Sequence, residues 1–397
     1  MAYNVNNAYF INTYQKMNPK DFTSHAAGKL IRTSLGYWAF MPNPLPKKLE
    51  INNELLTILG EAERAMGELN GLGGTISAPA VFINPILRLE AVLSSRIEGT
   101  RASIEDLIIY EGTQLSFFET AGDVREVHNY ILALEYGIQR IKSIPVSSRL
   151  IKELHAILLK NVRGDIWQPG KFRTKQNWIG YPGSSLETAT FVPPPQTEML
   201  DCLGDLEKFI HQPSNLPALV RLGMVHYQFE AIHPFADGNG RIGRLLSSLL
   251  TLDWNIQSQP LFHISPYFES RRQEYYNRLL AVSQKGDWAG WLEFFLRGVR
   301  DTCTGTVIRI QNLQAIHKDL LGKVQSERNA ARLTEALTFI FSKPILSTDE
   351  LSRFLQIPFK STQRIIERLV QLGILREITG RARNRFFQAD DIIKSIK

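Results

Sequence analysis

The sequence predicts a mainly α-helical protein, and two observations support that prediction. Apolar residues recur at helical spacing through most of the chain, as at Ile86, Leu89 and Leu93. Strands and helices do not alternate as they do around a parallel sheet, because β-prone runs occur only near 167–195 and 374–387. With 397 residues, of which 44% are hydrophobic, the chain is long enough for roughly two or three domains.

The N-terminal part is predicted to be helical once an initial arm has ended. The first forty or so residues alternate aromatic with polar residues and end in Pro42, Pro44 and Pro46, which predicts an irregular arm. Five helices are then expected, at 53–69, at 85–97, from Ser103 onward, at 123–142 and at 146–159. The N-terminal helical region is predicted to span residues 1–120, so the last two of these helices belong to the domain that follows.

The middle of the chain is predicted to hold a hairpin and a loop between two helices. Glycine, proline and short β-prone runs predict a β-hairpin between Ile179 and Val192. A helix must end at His233, because Pro234 disfavours helical geometry in the residue before it. The helices expected around this loop are 198–210, 218–232, 240–254 and 271–300, and residues 121–305 form one predicted domain.

The last domain, residues 306–397, is predicted to be a linker followed by a winged helix-turn-helix. Three helices, at 333–341, 348–355 and 359–372, precede a hairpin around a Gly-Arg turn. The third helix and the hairpin are basic, through Lys360, Arg364, Arg368, Arg376, Arg381, Arg383 and Arg385. This charge predicts contacts with DNA phosphates, and a dimerisation or packing surface is the alternative.

Composition excludes several classes of protein. Two cysteines cannot build a disulfide framework, and no Cys/His cluster has zinc spacing. No window approaches the roughly 18 apolar residues of a membrane span, so we expect a soluble, cytoplasmic protein without a membrane partner. The net charge of +7 permits an anionic partner such as a nucleotide or nucleic acid.

Residues 233–244, His-Pro-Phe-Ala-Asp-Gly-Asn-Gly-Arg-Ile-Gly-Arg, carry the strongest local signal. Gly238, Gly240 and Gly243 match the dinucleotide pattern Gly-x-Gly-x-x-Gly. That site requires a strand before the glycines and an acidic residue after the next strand. The flanking segments here are predicted helices, which argues against a nicotinamide cofactor.

The same segment is predicted to be a loop that opens a helix, where backbone N–H groups converge on an anion. Arg241 and Arg244 are three residues apart and add two cations to one helix face, which suits a polyphosphate. Asp237 is a single carboxylate of the kind that holds Mg²⁺ together with phosphate oxygens. His233, at a helix end, can take a proton from an attacking hydroxyl.

The pattern His-x-Phe-x-Asp-Gly-Asn-Gly-Arg-x-x-Arg resembles the signature of the Fic family at every defining position. The resemblance implies a Fic-type helical core that transfers AMP from ATP to a Ser, Thr or Tyr hydroxyl of a target protein and releases pyrophosphate. It implies that His233 is the general base and that Asp237 holds Mg²⁺. The ATP-binding residues it implies are Gly238, Asn239, Gly240, Arg241, Ile242, Gly243 and Arg244. The residues by themselves do not select ATP among polyphosphates.

The segment 94–99, Ser-Ser-Arg-Ile-Glu-Gly, resembles an inhibitory motif that some members of the family carry on a helix before the core. Ser94 and Glu98 are four residues apart and share one helix face. The resemblance implies that Glu98 pairs with Arg244 and keeps this cation from the γ-phosphate of ATP. The α-phosphate then cannot be attacked in line.

Two weaker likenesses concern substrate binding. The predicted hairpin resembles the flap with which the family holds a target peptide, and the flap residues are Thr190, Phe191 and Val192. Tyr275 resembles an aromatic residue that lies near adenine, and packing in a helical core is its alternative.

Two hypotheses of different class follow. The first is an autoinhibited AMP transferase that acts on a target protein and on itself, and transfer of another phosphate-containing group stays open within it. The second is a DNA-binding transcriptional regulator whose Fic-like core senses a nucleotide. The oligomeric state is open, a homodimer included.

Overall fold

The structure is a computed structural model that describes residues 16–76, 79–113, 121–162, 168–380 and 385–396. The first helices are α1 Asn53–Thr75, α2 Pro79–Ile97, α3 Ile104–Thr113, α4 Ala121–Arg140 and α5 Ser148–Leu158. The next are α6 Gln196–His211, α7 Ala218–Ile232, α8 Asn239–Asp253, α9 Ser265–Ser270, α10 Arg272–Lys285 and α11 Trp288–Gln325. The last are α12 Ala330–Ser342, α13 Thr348–Leu355, α14 Phe359–Gln371 and α15 Asp390–Ile396. The strands are β1 Gly28–Arg32, β2 Trp38–Pro42, β3 Ile345–Ser347, β4 Arg376–Glu377 and β5 Phe386–Gln388.

The prediction of a mainly helical protein is confirmed. Some helix starts follow local capping chemistry, as at α1, where the side chain of Asn52 accepts the N–H of Leu55. Helix α2 differs from its prediction, because it begins at Pro79 and carries Pro85 inside. The turn before Pro85 is helical because Phe82 packs in the core against Phe341, a contact that local sequence does not reveal.

The prediction of an irregular N-terminal arm is wrong over residues 28–42. Strands β1 and β2 pair antiparallel there, with Gly28 opposite Pro42. Burial along β2 does not alternate, because Ala39 and Phe40 are both buried while Trp38, on the same face as Phe40, stays exposed, so the local pattern does not reveal the strand. The first 160 residues are therefore not helical throughout.

The predicted hairpin between Ile179 and Val192 is also wrong as a pair of strands. Within the described chain, the segment pairs at one antiparallel bridge, between Ile179 and Phe191. The carbonyl of Val192 instead accepts the backbone N–H of Phe40 in β2, at 2.9 Å. The segment is held as a loop against β2 because its apolar side chains, Phe191 and Val192, are buried there.

Helices α7 and α8 form the centre of the protein. Helix α7 is buried around nearly its whole circumference, and α8 packs against it and against α4. Helix α2 contacts α8 and α9, so its C-terminal end reaches the start of α8. Helix α1 packs along α11, a helix of 38 residues that runs through residue 305, the predicted end of the central domain.

The C-terminal elements follow one another as helix, strand, two helices, two strands and a last helix. The strands form an antiparallel sheet in the order β3, β5, β4. Helix α12 packs on α2, where Arg88 donates from Nη1 to the carbonyl of Ser342 at 3.0 Å. The winged helix-turn-helix stays a prediction, and Arg381 and Arg383 lie outside the described residues. Among the described helices, none combines the length and apolar character that crossing a bilayer requires.

Candidate active site

His233 ends α7 in an unusual backbone conformation. Its φ of 49° and ψ of 61° are left-handed, and Pro234 prevents the helix from continuing. The imidazole Nδ1 lies 3.2 Å from the carbonyl of Glu230. Since a carbonyl only accepts, Nδ1 carries the proton and Nε2 keeps a lone pair.

Burial keeps this imidazole neutral. His233 is 7% exposed, and desolvation lowers its pKa to about 4, with the nearby Arg173 guanidinium acting in the same direction. At neutral pH the side chain is therefore an unprotonated base with a free Nε2. This is the protonation state that a general base needs.

The loop after His233 is held from both sides. Phe235 is buried, and its ring stacks on that of His155 at 3.7 Å between centroids. Asn239 accepts the N–H of Phe235 at 2.8 Å and donates to its carbonyl at 2.9 Å. His155 donates from Nε2 to the carbonyl of Asp237 at 3.0 Å. The side-chain amide of Asn239 thus closes the loop on itself, whereas sequence predicted only a phosphate contact.

Helix α8 begins at the end of this loop with no side-chain cap. Its N-cap is Gly238, whose φ of 78° is readily adopted only by glycine. The first N–H groups of a helix lack intrahelical partners, and the helix dipole adds positive character there. The start of α8 is therefore suited to an anion. Ile242 is fully buried and belongs to the core, and Gly243 lies against the carboxyl group of Glu230.

Arg244 is the more deeply buried of the two arginines, at 1% exposure. It donates from Nε to Oγ of Ser94 at 2.9 Å and from Nη2 to the carbonyl of Ser94 at 2.9 Å. Nη2 also contacts Oε1 of Glu98 at 2.8 Å. A Cβ on Gly240 would lie 2.2 Å from that same Oε1, so only glycine leaves room for the carboxylate. Helix α2 therefore brings the two residues of the predicted inhibitory motif onto Arg244.

The electrostatics of this pair are coupled. Burial raises the pKa of Glu98, but the Arg244 guanidinium, with smaller contributions from Arg241 and Arg272, lowers it by more, and the pKa lies below its ordinary value. Burial opposes the charge of Arg244, yet Glu98 raises the pKa of Arg244 above its ordinary value. Both groups are charged at neutral pH, and each compensates the other.

Arg241 faces a carboxylate that sequence analysis did not identify. Its Nη1 lies 2.9 Å from Oε2 of Glu126 in α4, and its Nη2 lies 3.7 Å from Oδ2 of Asp237. The Nε of Arg241 is buried and has no hydrogen-bond partner among the described residues. An unsatisfied cationic donor at the start of α8 is a second feature that suits an anionic ligand.

Asp237 is the only carboxylate on the loop itself. Its side chain is 28% exposed, and Oδ1 accepts the N–H of Gly238 at 2.7 Å. Within the described ranges, no three His, Cys, Asp or Glu side chains are grouped so that they could hold a metal. A lone carboxylate fits Mg²⁺, because that ion is usually held by one or two carboxylates together with substrate phosphates and water.

The other predicted residues lie around this centre. Tyr275 is 1% exposed, and its hydroxyl lies 2.9 Å from Nε2 of His226. Its side chain therefore packs in the helical core. Thr190 and Phe191 both donate their N–H groups to the carbonyl of Ile179. Phe191 and Val192 point into the core, and Thr190 is half-buried.

Sequence analysis missed five residues of the site: Glu126, His155, Arg173, Asn177 and Glu230. They lie outside the 233–244 segment, and no spacing rule connects them with it. One signal was available for Glu230, which is the only acidic residue of helix α7. Burial raises its pKa to about 8, and its Oε1 has no partner among the described residues.

Two family models match the chain. The Fic/DOC family N-terminal model covers residues 56–139, and the Fic/DOC family model covers residues 145–251.

Two curated relatives are similar over part of their length. Protein adenylyltransferase fic-1 of Caenorhabditis briggsae is 26% identical over 254 residues, which is 58% of this chain and 44% of the relative. Protein adenylyltransferase Fic of Drosophila melanogaster is 28% identical over 174 residues, which is 42% of this chain and 32% of the relative. The matched region spans less than half of either relative.

Two solved structures share the fold. A Fic family protein from Desulfovibrio desulfuricans superposes with a TM-score of 0.53 at 19% identity, over 86% of this chain and 97% of that one. A fragment of Fic-1 from Caenorhabditis elegans gives a TM-score of 0.50 at 19% identity, over 67% and 74%. These likenesses concern the fold alone.

Proposed function

Because the chain belongs to the Fic/DOC family by its residues 56–139 and 145–251, we propose that it is a protein adenylyltransferase. It transfers AMP from ATP to a hydroxyl of a target protein, itself included. One observation carries the proposal: the neutral imidazole of His233 with its free Nε2 adjoins the uncapped start of α8 and its two arginines. A base beside a polyphosphate site is what nucleotidyl transfer to a hydroxyl requires.

Each of these groups has a separate role in the transfer of AMP. The acceptor oxygen forms a bond to the α-phosphorus of ATP while Nε2 of His233 takes the hydroxyl proton. The bond from the α-phosphorus to the bridging oxygen breaks, and pyrophosphate leaves with the electron pair. The N–H groups that open α8, with Arg241 and Arg244, stabilise the phosphate charge. Asp237 would hold Mg²⁺, which neutralises phosphate oxygens when it is bound.

The pair between Glu98 and Arg244 supports autoinhibition. While Nη2 of Arg244 is occupied by Glu98 at 2.8 Å, this cation is not available to the γ-phosphate. The carboxylate also brings a negative charge to the place where the triphosphate would end, so like charges repel. ATP then binds in a pose that does not present its α-phosphate to the acceptor.

Three regions have separate roles in this proposal. Residues 1–120 carry the inhibitory helix, residues 121–305 form the catalytic core with its flap at 190–192, and residues 306–397 carry a winged helix-turn-helix. The DNA-binding alternative is not favoured. Arg368 and Arg376, two of its predicted phosphate contacts, are paired with Glu327 and Asp390.

The test is incorporation of label from α-³²P-ATP with Mg²⁺ and a cell lysate as acceptor. We compare wild type, Glu98→Gly, and Glu98→Gly combined with His233→Ala. Label should rise in the single variant and fall about 10²- to 10⁴-fold when the base is removed. Glu153→Gly is the matched control, because Glu153 pairs with Arg140 on the surface of α5 and should not affect the rate.

Each result has a separate meaning. Equal rates for wild type and Glu98→Gly would contradict autoinhibition. Absence of label from every variant would contradict AMP transfer, and the same series with other labelled nucleotides would then be measured.

A further inference from the structure

Arg173 is a buried cation without an acidic partner. The residue is 4% exposed, and among the described residues its guanidinium donates to backbone carbonyls, those of His233, Lys175 and Pro194, rather than to a carboxylate. Burial lowers its pKa to about 10. An unpaired buried charge is costly, and a neutral side chain of similar size would pack at lower cost. Packing alone therefore does not explain a guanidinium at this position.

Two donors of Arg173 contact the backbone around His233. Nε donates to the carbonyl of His233 at 3.0 Å, and the backbone N–H of Arg173 donates to the carbonyl of Pro234 at 2.9 Å. Asn177 adds Nδ2, which donates to the same carbonyl of His233 at 3.2 Å and to that of Phe235 at 2.9 Å. The carbonyl of the proposed base thus receives two side-chain donors.

These donors act where the backbone is strained. His233 has a φ of 49°, in the left-handed region that costs non-glycine residues on the order of 1 kcal/mol. Such a conformation persists only when its surroundings hold it. The carbonyl of His233 leaves the end of α7 without a helical partner, so Arg173 and Asn177 satisfy it and hold the turn.

The same guanidinium reaches the predicted flap. Nη2 donates to the carbonyl of Pro194 at 2.5 Å, just after the segment 190–192. Asn177 precedes Ile179 by two residues, and Ile179 forms the bridge to Phe191. One planar side chain therefore spans from the flap to the proposed base, as the fixed fork of guanidinium donors permits.

We propose that Arg173 is a positioning residue for AMP transfer, which ties the flap at Pro194 to the backbone of His233. A target peptide seated on the flap then aligns the imidazole with its acceptor hydroxyl. The inference rests on the proposed function, because it assigns Arg173 a role relative to His233 as base.

The charge of Arg173 has a second effect on the imidazole. Three groups besides burial act on His233: the carbonyl of Glu230 from α7, the Arg173 cation from the loop after α5, and the Glu98 carboxylate from the turn that follows α2. Arg173 lowers the pKa of His233, and the other two raise it. Removal of the Arg173 charge should therefore raise the pKa of His233.

The kinetic test uses the full chain with Glu98→Gly, so that activity is high enough to measure. Arg173→Gln should lower kcat about 10- to 100-fold, because a misplaced base reacts slowly. KM for ATP should stay unchanged, since Arg241 and Arg244 are untouched. Arg173→Lys keeps the charge but cannot reach both carbonyls, so its kcat should be intermediate.

Arg221→Gln is the matched control. Arg221 is half-buried, and like Arg173 it donates to backbone carbonyls, from Nη2 to those of Phe209 and Ile210 at the end of α6. Its loss should leave kcat unchanged. Equal losses of kcat in Arg173→Gln and Arg221→Gln would overturn the inference, as would a loss expressed only in KM.

A second readout needs no turnover. The pKa of His233 is measured by NMR on imidazole-labelled protein without nucleotide or metal, with assignment by His233→Gln. It should rise in Arg173→Gln and stay near its original value in Arg173→Lys. An unchanged pKa in both would overturn the link. If no variant transfers AMP but the pKa rises in Arg173→Gln alone, the proposed function fails while the coupling of Arg173 to His233 stands.

Discussion

Two regions of the molecule use their arginines in opposite ways. At the start of α8, Arg244 is 1% exposed and is paired with Glu98 from a distant helix. In the C-terminal elements, Arg376 is 60% exposed and is paired with Asp390 through two contacts. Both are arginine–carboxylate pairs at short distance, so pairing does not distinguish them. Burial distinguishes them, because a charge withdrawn from water is stabilised by its ion-pair partner, whereas an exposed charge is stabilised mainly by water.

The largest expected effect is on catalysis. In the Glu98→Gly background, Arg244→Gln should lower AMP transfer about 10²- to 10³-fold, because a buried cation at the phosphate site is lost. Label incorporation from α-³²P-ATP measures the change. Arg376→Gln in the same background is the control and should transfer AMP at the unmodified rate. Similar rates for the two variants would contradict the claim that Arg244 acts in catalysis and Arg376 does not.

The next effect is on stability. With Glu98 present, Arg244→Gln should lower the free energy of unfolding by about 3 kcal/mol, because a poorly solvated carboxylate loses its cation. Urea unfolding followed by circular dichroism measures it. Combining the change with Glu98→Gln should restore part of the loss. Arg368→Gln, at an exposed pair, should leave the midpoint unchanged, and a midpoint shift as large as that of Arg244→Gln would contradict the role of burial.

A third effect depends on pH. Burial raises the pKa of Glu230 to about 8, above its value in the unfolded chain, so the folded protein binds the extra proton between roughly pH 4.5 and pH 8. Stability from this group is complete at the acid end and falls as pH rises through that window. Between pH 6 and pH 8, the free energy of unfolding should therefore fall by about 2 kcal/mol less in Glu230→Gln than in wild type. If the free energy of unfolding changed with pH in the same way in wild type and in Glu230→Gln, the raised pKa of Glu230 would be refuted.

The smallest effect is expected at the C-terminal surface. Lys360 and Arg364 are exposed on α14, and replacing both with Gln should leave AMP transfer and the unfolding midpoint unchanged. Binding of both proteins to duplex DNA is also measured at several salt concentrations, to test whether Lys360 and Arg364 contact DNA. Salt-sensitive binding that disappears in the double variant would make this surface functional and weaken the comparison.

Much of the fold follows from local sequence. Helix α7 ends at His233 as predicted, because Pro234 blocks helical geometry in the preceding residue whatever surrounds it. The prediction failed where pairing between distant segments decides the structure. The β-prone run at 190–192 pairs with Ile179 at a single bridge and forms no pair of strands, and the carbonyl of Val192 bonds to Phe40 in β2. Nothing in the local pattern specifies that partner.

The sequence by itself determined the chemistry carried by residues 233–244, because the glycines, the proline and the arginines act through neighbours within a few residues. It also indicated the helix that carries Ser94 and Glu98. Only the tertiary structure decided which groups meet those residues: Glu126 on Arg241, and Arg173 on the carbonyl of His233. The physical reason is burial, since a charge withdrawn from water must find its partner wherever the packed chain brings one, and sequence distance sets no limit on that choice.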